Sequence, residues 1–426
     1  MNPAFHQKRL LSKAALTFLA LTTFVLAILP IVNYLRESTK DYDKWFWAGQ
    51  AVLEDGDLYA PRGDGTFRFM YPPSAAVFFA FPSYFGKLEL IVVLALLYSA
   101  AWLASMRLSL SLATGGGARD HPLICLIAGV CCFPYAVENA LLGQPNLLLL
   151  ALMLAAYAGL QAQRPWAAGA LIALASAIKA FPILAVGYFI YRRHWTAAAS
   201  TIVFLLLFLV ALPSPFRGFA RNLEDLGTWT RGMLHYDAEA ISQREQRGFS
   251  WSNHSLVAVA HRLLRPVNAH RKRDETLFVN IANLNFKTVT AVILAIALGL
   301  CLFYIYCMPG AGERTKASDA REYAMLLLLI LMFTPLAFTY FFVWLLYPTV
   351  VALTLVLAQP AKSKARMRHW VWFWACMTLL SFTVPLPVFR PLQASGSTLL
   401  AAVLLFLGIG RHLRNGKGEP RLADDC

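Results

Sequence analysis

Asp41 and Asp43 directly follow a long apolar run, from about Leu16 to Tyr34, where an ionised side chain needs a reason. An acid at the edge of a membrane can be shielded from bulk water, which favours proton uptake and suits a general base. The plainer alternative is a pair of loop acids marking the membrane edge, and spacing alone favours it. Lys179 raises a similar question, because it sits in the apolar run Ala177-Ile178-Lys179-Ala180-Phe181-Pro182. An ammonium there is costly and reads as functional unless it snorkels to the interface. Pro182 ends or kinks the helix and could aim Lys179 into a cavity, where a phosphate is its natural partner. Gly143-Gln144-Pro145-Asn146 supplies two amides on a tight turn, able to cap a helix or to hold sugar hydroxyls. Trp251-Ser252-Asn253-His254-Ser255-Leu256 is followed by His261 and Arg262. Arg262 could grip phosphate as a fork and His254 could donate to phosphate or sugar; a solvated Arg and a satisfied loop His are the alternatives. His254, His261 and His270 lack metal-ligand spacing and no His-Glu-x-x-His occurs, so no metal is expected.

These residues must be carried by membrane helices. Of 426 residues, 58% are hydrophobic and 14% charged, and apolar runs of about 20 residues recur. That predicts an all-α, polytopic transmembrane bundle of about 10–12 spans, residues 1–426 forming one integral-membrane domain. The net charge of +15 comes from Lys and Arg in short loops, as the positive-inside rule requires, and not from a nucleic-acid-binding pattern. Seven Cys, mostly in or beside apolar runs, give neither a disulfide framework nor a zinc motif. Lys8, Arg9 and Lys13 before the first span place the N-terminus inside, and the apolar run is too long for a cleaved signal.

Residues 35–72 then form a first external loop, rich in acids (Asp41, Asp43, Glu54, Asp55, Asp57, Asp64) and aromatics. Within it, Asp43 to Glu54 can form a helix whose Trp45, Phe46, Ala48 and Val52 would lie along the interface. Pro73 to Phe85 reads as a dipping segment or the start of the second span. Further spans are expected at Leu123–Leu142, Leu147–Leu160, Trp166–Ile178, Pro182–Tyr191 and Thr196–Leu212. A long external loop covers about 213–286. Later spans run at Phe286–Cys307, Ala324–Leu336, Phe338–Leu357, Trp370–Val384 and Leu399–Gly410, before a cytoplasmic tail from 411 to 426.

The order of the motifs resembles the integral-membrane glycosyltransferases of family 87, in the GT-C superfold. The resemblance rests on Asp41 through Tyr59, on Phe69-Met70-Tyr71-Pro72-Pro73, on Gly143-Gln144-Pro145-Asn146 with Ile178-Lys179-Ala180-Phe181-Pro182, and on Asn253-His254-Ser255-Leu256 with Arg262. Many members carry Ser-Pro and then His where this chain has Thr334-Pro335 and, further on, Tyr340 and Phe341.

The resemblance implies transfer of a hexose, mannose foremost, from a polyprenyl-phosphate carrier to an acceptor hydroxyl on the non-cytoplasmic face of the cell membrane. Asp41 would be the base, with Asp43 as a second acid. Lys179, Arg262 and His254 would hold the donor phosphate, and Gln144, Asn146, Asn253 and Tyr71 would hold sugar or acceptor. No cofactor is implied, since phosphate is already the leaving group. The partners would be membrane lipid, the carrier-linked sugar and a glycolipid or glycan acceptor. A GT-C transferase using another lipid-linked sugar, such as arabinofuranose, is the near alternative. A flippase or transporter would instead line a path with ionisable residues deep in several spans.

Overall fold

The computed structural model describes residues 3–60, 69–233, 248–270, 272, 274–384 and 386–415; Asp64 and the tail beyond 415 fall outside these. The described residues are helical, with no strand beyond an isolated bridge between Asn253 and Phe338. The chain forms two compact units, one from residues 1–108 and 133–241, the other from 109–132 and 242–426.

In the first unit, α1 (Pro3–Leu35) packs on α4 (Lys87–Thr114), where Trp102 Nε1 donates to Thr22 Oγ1 at 3.0 Å. The expected loop helix is α2 (Tyr42–Leu53). Its Trp45, Ala48 and Val52 do not lie on lipid: they are buried against α3 (Pro73–Phe85). Gly49 makes that approach possible. A Cβ there would lie 2.3 Å from Ser83 Oγ and 2.9 Å from the Phe79 carbonyl oxygen. Gln50 Nε2 adds a 2.7 Å bond to the Ser83 carbonyl. Proline at the first position starts α3, as it starts α7 (Pro165–Ile178), because its missing N–H is an orphan donor there anyway. α5 (Pro122–Leu142) and α6 (Asn146–Gln161) flank the Gly143 turn. A 3₁₀ turn (Phe181–Leu184), α8 (Ala185–Tyr191) and α9 (Trp195–Leu206) follow, and α9 runs into a π-helical segment (Leu207–Ala211). α10 (Ser214–Arg217) and α11 (Phe219–Met233) close the unit.

The second unit contains α12 (Leu256–Leu264), α13 (Phe286–Cys307), α14 (Lys316–Phe333), α15 (Leu346–Leu357), α16 (Lys364–Ser381), α17 (Arg390–Ala394) and α18 (Ser397–Asn415). Its helix starts are written in the sequence. Ser255 caps α12 through Ala258 N–H, Asn285 caps α13 through Thr288 N–H, and Thr315 with Ser318 forms a reciprocal capping box on α14. α14 and α15 supply the most buried apolar side chains, with Tyr347 Oη donating to the Ala320 carbonyl at 3.2 Å.

Seven helices among the described residues are long and apolar enough to cross a membrane, fewer than the ten to twelve expected spans. Shorter apolar helices accompany these seven. α6, α7 and the Phe181–Tyr191 segment are apolar but short. At 14 residues, α7 is about 21 Å long, against about 30 Å of hydrocarbon. The chain is a multi-pass helical membrane protein, and the stretch bearing Lys179 is built from broken helices.

Gly49→Val should strain the α2–α3 contact. Overpacking of this kind costs about 1–3 kcal/mol. A fall in Tm of the detergent-solubilised protein would show it, and an unchanged Tm would mean the two helices are not tightly apposed.

Candidate functional site

The Gly143 turn is built by its backbone. Gly143 has φ +72, in the left-handed region. The Gln144 N–H donates to the Asn139 carbonyl at 2.9 Å and the Gly143 N–H to the Ala140 carbonyl at 3.2 Å. This is a Schellman ending, which satisfies the last carbonyls of α5 without side chains. Neither Gln144 nor Asn146 caps a helix, as α6 has no side-chain cap. Both amides are buried and serve elsewhere than at a helix end.

The first loop docks on this turn. The Asp41 N–H donates to the Leu142 carbonyl at 3.2 Å, Tyr42 Oη to the Ala140 carbonyl at 2.6 Å, and Trp45 Nε1 to the Gly143 carbonyl at 2.7 Å. That brings Gln144 Nε2 onto Asp41 Oδ2, while Asp41 Oδ1 pairs with the Lys44 ammonium. Gln144 Oε1 accepts from Tyr71 Oη at 3.0 Å. The Lys179 ammonium lies 5.7 Å from the centre of the Tyr71 ring and donates to Asn146 Oδ1 at 3.1 Å. Lys179 ends α7 in extended conformation, and Ser74 Oγ on α3 binds the neighbouring Ala177 carbonyl at 2.6 Å. Five expected site residues, Asp41, Tyr71, Gln144, Asn146 and Lys179, thus form one connected group.

The other acids of the loop are occupied elsewhere. Asp43 binds Lys87 Nζ at 2.8 Å and Thr39 Oγ1 at 2.6 Å. Burial opposes ionisation of Asp43, but those two bonds and the Lys87 charge outweigh it and hold the carboxyl below its usual range. Asp55 pairs with Arg221 at 2.5 Å, and Asp57 Oδ1 accepts from the Tyr59 N–H at 2.8 Å. No cluster of three metal-ligating side chains occurs among the described residues.

Asn253, His254 and Arg262 lie in the second unit, where they make the following bonds. Asn253 Nδ2 donates to the Gly248 and Pro335 carbonyls, and its Oδ1 accepts from the N–H groups of Ser255 and Ala337. With both ends of its amide engaged by backbone, Asn253 ties the 248–255 segment to Pro335–Ala337 rather than offering a group to sugar. Arg262 is fully buried and directs Nε to the Ala394 carbonyl at 2.7 Å and Nη1 to those of Ser250 at 2.7 Å and Asn253 at 2.8 Å. Burial lowers its pKa to about 9, which leaves it charged at neutral pH. Nε and Nη1 clamp backbone carbonyls, while Nη2 is buried with no hydrogen-bond partner among the described residues. Phe341 is buried on Trp344, and Tyr340 packs beside Phe338.

A family model, glycosyltransferase family 87, matches residues 69–335. The chain belongs to glycosyltransferase family 87. No curated protein and no solved structure matches it. The protein is therefore a membrane glycosyltransferase. The match contains Tyr71, Gln144, Asn146 and Lys179; Asp41 precedes it and joins the group through the tertiary contacts above.

Two features of the transferase escaped the sequence reading. Lys44 was legible in principle, since a Lys three residues after an Asp on a helix shares its face. The buried Arg217–Asp225 pair, at 2.7 Å, was not, because nothing local ties the two residues together. Arg217 Nη1 also donates to the Gly56 carbonyl at 2.8 Å, which fixes the loop near Tyr59, and Tyr59 Oη in turn holds the Tyr71 carbonyl at 2.7 Å.

His254 sets a pH dependence of stability. Its ring is buried, with Nε2 3.4 Å from Thr339 Oγ1, and burial together with the Arg262 charge lowers its pKa to about 3. The folded form keeps it neutral, while the unfolded chain takes up a proton below about pH 6.5. Its contribution is fully present above that value and is lost as pH falls toward 3. His261, lowered to about 4 by burial and Arg265, adds the same sign. Tm should fall between pH 7 and pH 4, and His254→Gln should flatten that slope.

Proposed function

We propose that this transferase moves a hexose, mannose foremost, from a polyprenyl-phosphate carrier to an acceptor hydroxyl on the non-cytoplasmic face of the cell membrane, with a GT-C-type mechanism of direct displacement. The observation that carries the reading is the continuous line from the Asp41 carboxylate through Gln144 and Tyr71 to the Lys179 ammonium. Such a reaction needs a proton acceptor and a cation for the phosphate, held apart in fixed geometry.

In this reading Asp41 removes the acceptor proton as the acceptor oxygen bonds to the anomeric carbon. The bond from that carbon to the phosphate oxygen breaks, and its electron pair stays with the phosphate. Lys179 meets the charge that grows there, a pre-placed countercharge of the kind that stabilises a transition state. Asn146 steadies Lys179, Gln144 orients Asp41, and Tyr71 orients Gln144. Arg262 and Asn253 bind backbone carbonyls of their own unit, where the His254 ring lies beside Thr339. The basic clusters at Lys8–Lys13, Arg192–Arg193 and Lys362–Arg368 support cytoplasmic termini and an outward site.

Purified protein assayed with polyprenyl-phosphate mannose, glucose and arabinofuranose and a panel of glycolipid acceptors tests this. Transfer from arabinofuranose alone would replace the hexose, and transfer from none would overturn the reading. Asp41→Asn should lower kcat by at least about a hundredfold, the scale of losing a general base, with Tm unchanged. Asp43→Asn should keep partial activity, because its partners are Lys87 and Thr39. Lys179→Ala should weaken use of the carrier lipid, and an unchanged apparent affinity for it would remove that assignment.

A further inference from the structure

Where α16 begins and α18 ends, the second unit gathers cations with no carboxylate paired to them. The two helices are closely packed there. A Cβ on Gly408 would collide with the Trp372 ring, and Trp372 Nε1 donates to the Leu404 carbonyl at 3.0 Å. One turn nearer the helix ends, the same packing sets His369 against His412, edge-on with ring centres 4.3 Å apart. His369 is 8% exposed, and its Nδ1 is buried with no hydrogen-bond partner. Arg368 and Arg411 immediately precede the two histidines and are exposed. Their charges act on both rings, and that of Arg321 on α14 acts on His412.

Basic residues at the ends of membrane helices are ordinary. This group differs in what it lacks. Arg314, also in the second unit, grips Asp319 at 2.9 Å, yet neither Arg368 nor Arg411 pairs with a carboxylate among the described residues. Like charges held together repel, and a buried polar atom without a partner is costly. A bound anion relieves the repulsion. Planar guanidinium groups suit phosphate oxygens, and basic pockets between membrane helices take lipid headgroups. Met367, Val371 and Trp374 form an exposed apolar face on α16, along which acyl chains can lie. That face favours a phospholipid over free phosphate, and two uncompensated guanidinium groups favour a net negative headgroup over a zwitterionic one. We propose that the α16–α18 end binds the headgroup of an anionic phospholipid, its phosphate oxygens accepting from Arg368 and Arg411 beside the His369–His412 pair.

The test uses full-length protein in a neutral detergent, titrated with phosphatidylglycerol, phosphatidylcholine or inorganic phosphate while Tm is read. Phosphatidylglycerol should raise Tm saturably, as a ligand of the folded state does, and the other two should not. Arg368→Gln/Arg411→Gln should weaken its apparent affinity by roughly thirtyfold, the scale of two cations at an anionic surface. Lys8→Gln/Lys13→Gln removes the same charge at the start of α1 and should keep the parental affinity. Native mass spectrometry gives a second readout: the parent should retain phosphatidylglycerol that the arginine double variant loses. An equal loss in both double variants would reduce the effect to general attraction between a basic protein and anionic lipid, and would overturn the site. A response to inorganic phosphate matching that to phosphatidylglycerol would make the ligand free phosphate and overturn the lipid assignment. Neither readout involves sugar transfer, so the result stands apart from the proposed activity.

Discussion

The contact between Asp41 and Gln144 joins positions 103 residues apart, and the first unit is arranged so that it can form. Its precondition lies in the backbone of the Gly143 turn. A residue with a Cβ would be strained at φ +72 and would press on the Tyr42 ring, 3.0 Å away. Because the turn is closed by its own N–H groups, Gln144 need not cap α5. Its side chain is then available to the carboxylate, and the Leu142 and Gly143 carbonyls are available to Asp41 and Trp45.

Aromatic packing makes this arrangement rigid. Trp45 is fully buried, with ring centres 4.3 Å from Tyr71, 4.5 Å from Phe79 and 5.8 Å from Phe69. Tilted and edge-on contacts of this kind hold orientation as well as apolar area. Tyr71 is therefore fixed by its ring while its hydroxyl orients Gln144 and its face meets Lys179. The acidic loop shows the same economy. Asp43, Asp55 and Asp57 each bind a cation, hydroxyl or backbone N–H of the scaffold. Asp41 alone among them is bound to the group that reaches Lys179.

The second unit shows how chemistry-bearing residue types can serve structure. Asn253 and Arg262 are donors and acceptors that a sugar or phosphate would suit, yet a buried segment has backbone groups to satisfy first. The 249–255 stretch lacks regular secondary structure, and the side chains of Asn253 and Arg262 bond its backbone groups. A sequence motif does not reveal which demand its side chains meet, since both readings call for the same residue types.

The sequence by itself determined the membrane class, the helical character, the loop helix after the first span, the capped helix starts of the second unit and the presence of acids and a lone lysine at segment ends. Those follow from local forces: hydrophobic length, proline and glycine dihedrals, and capping side chains. Spacing alone did not separate Asp41 from Asp43, which only the resemblance did; the sequence left Gln144 as a cap or a ligand, and it did not show that Arg262 binds backbone carbonyls. Only tertiary structure decided the last two, because each turns on a partner more than eighty residues away or on whether a backbone group is already satisfied. Where the helices break was decided there too, since an apolar run records composition while the breaks near Gly143 and Lys179 depend on what the exposed helix ends find to bind.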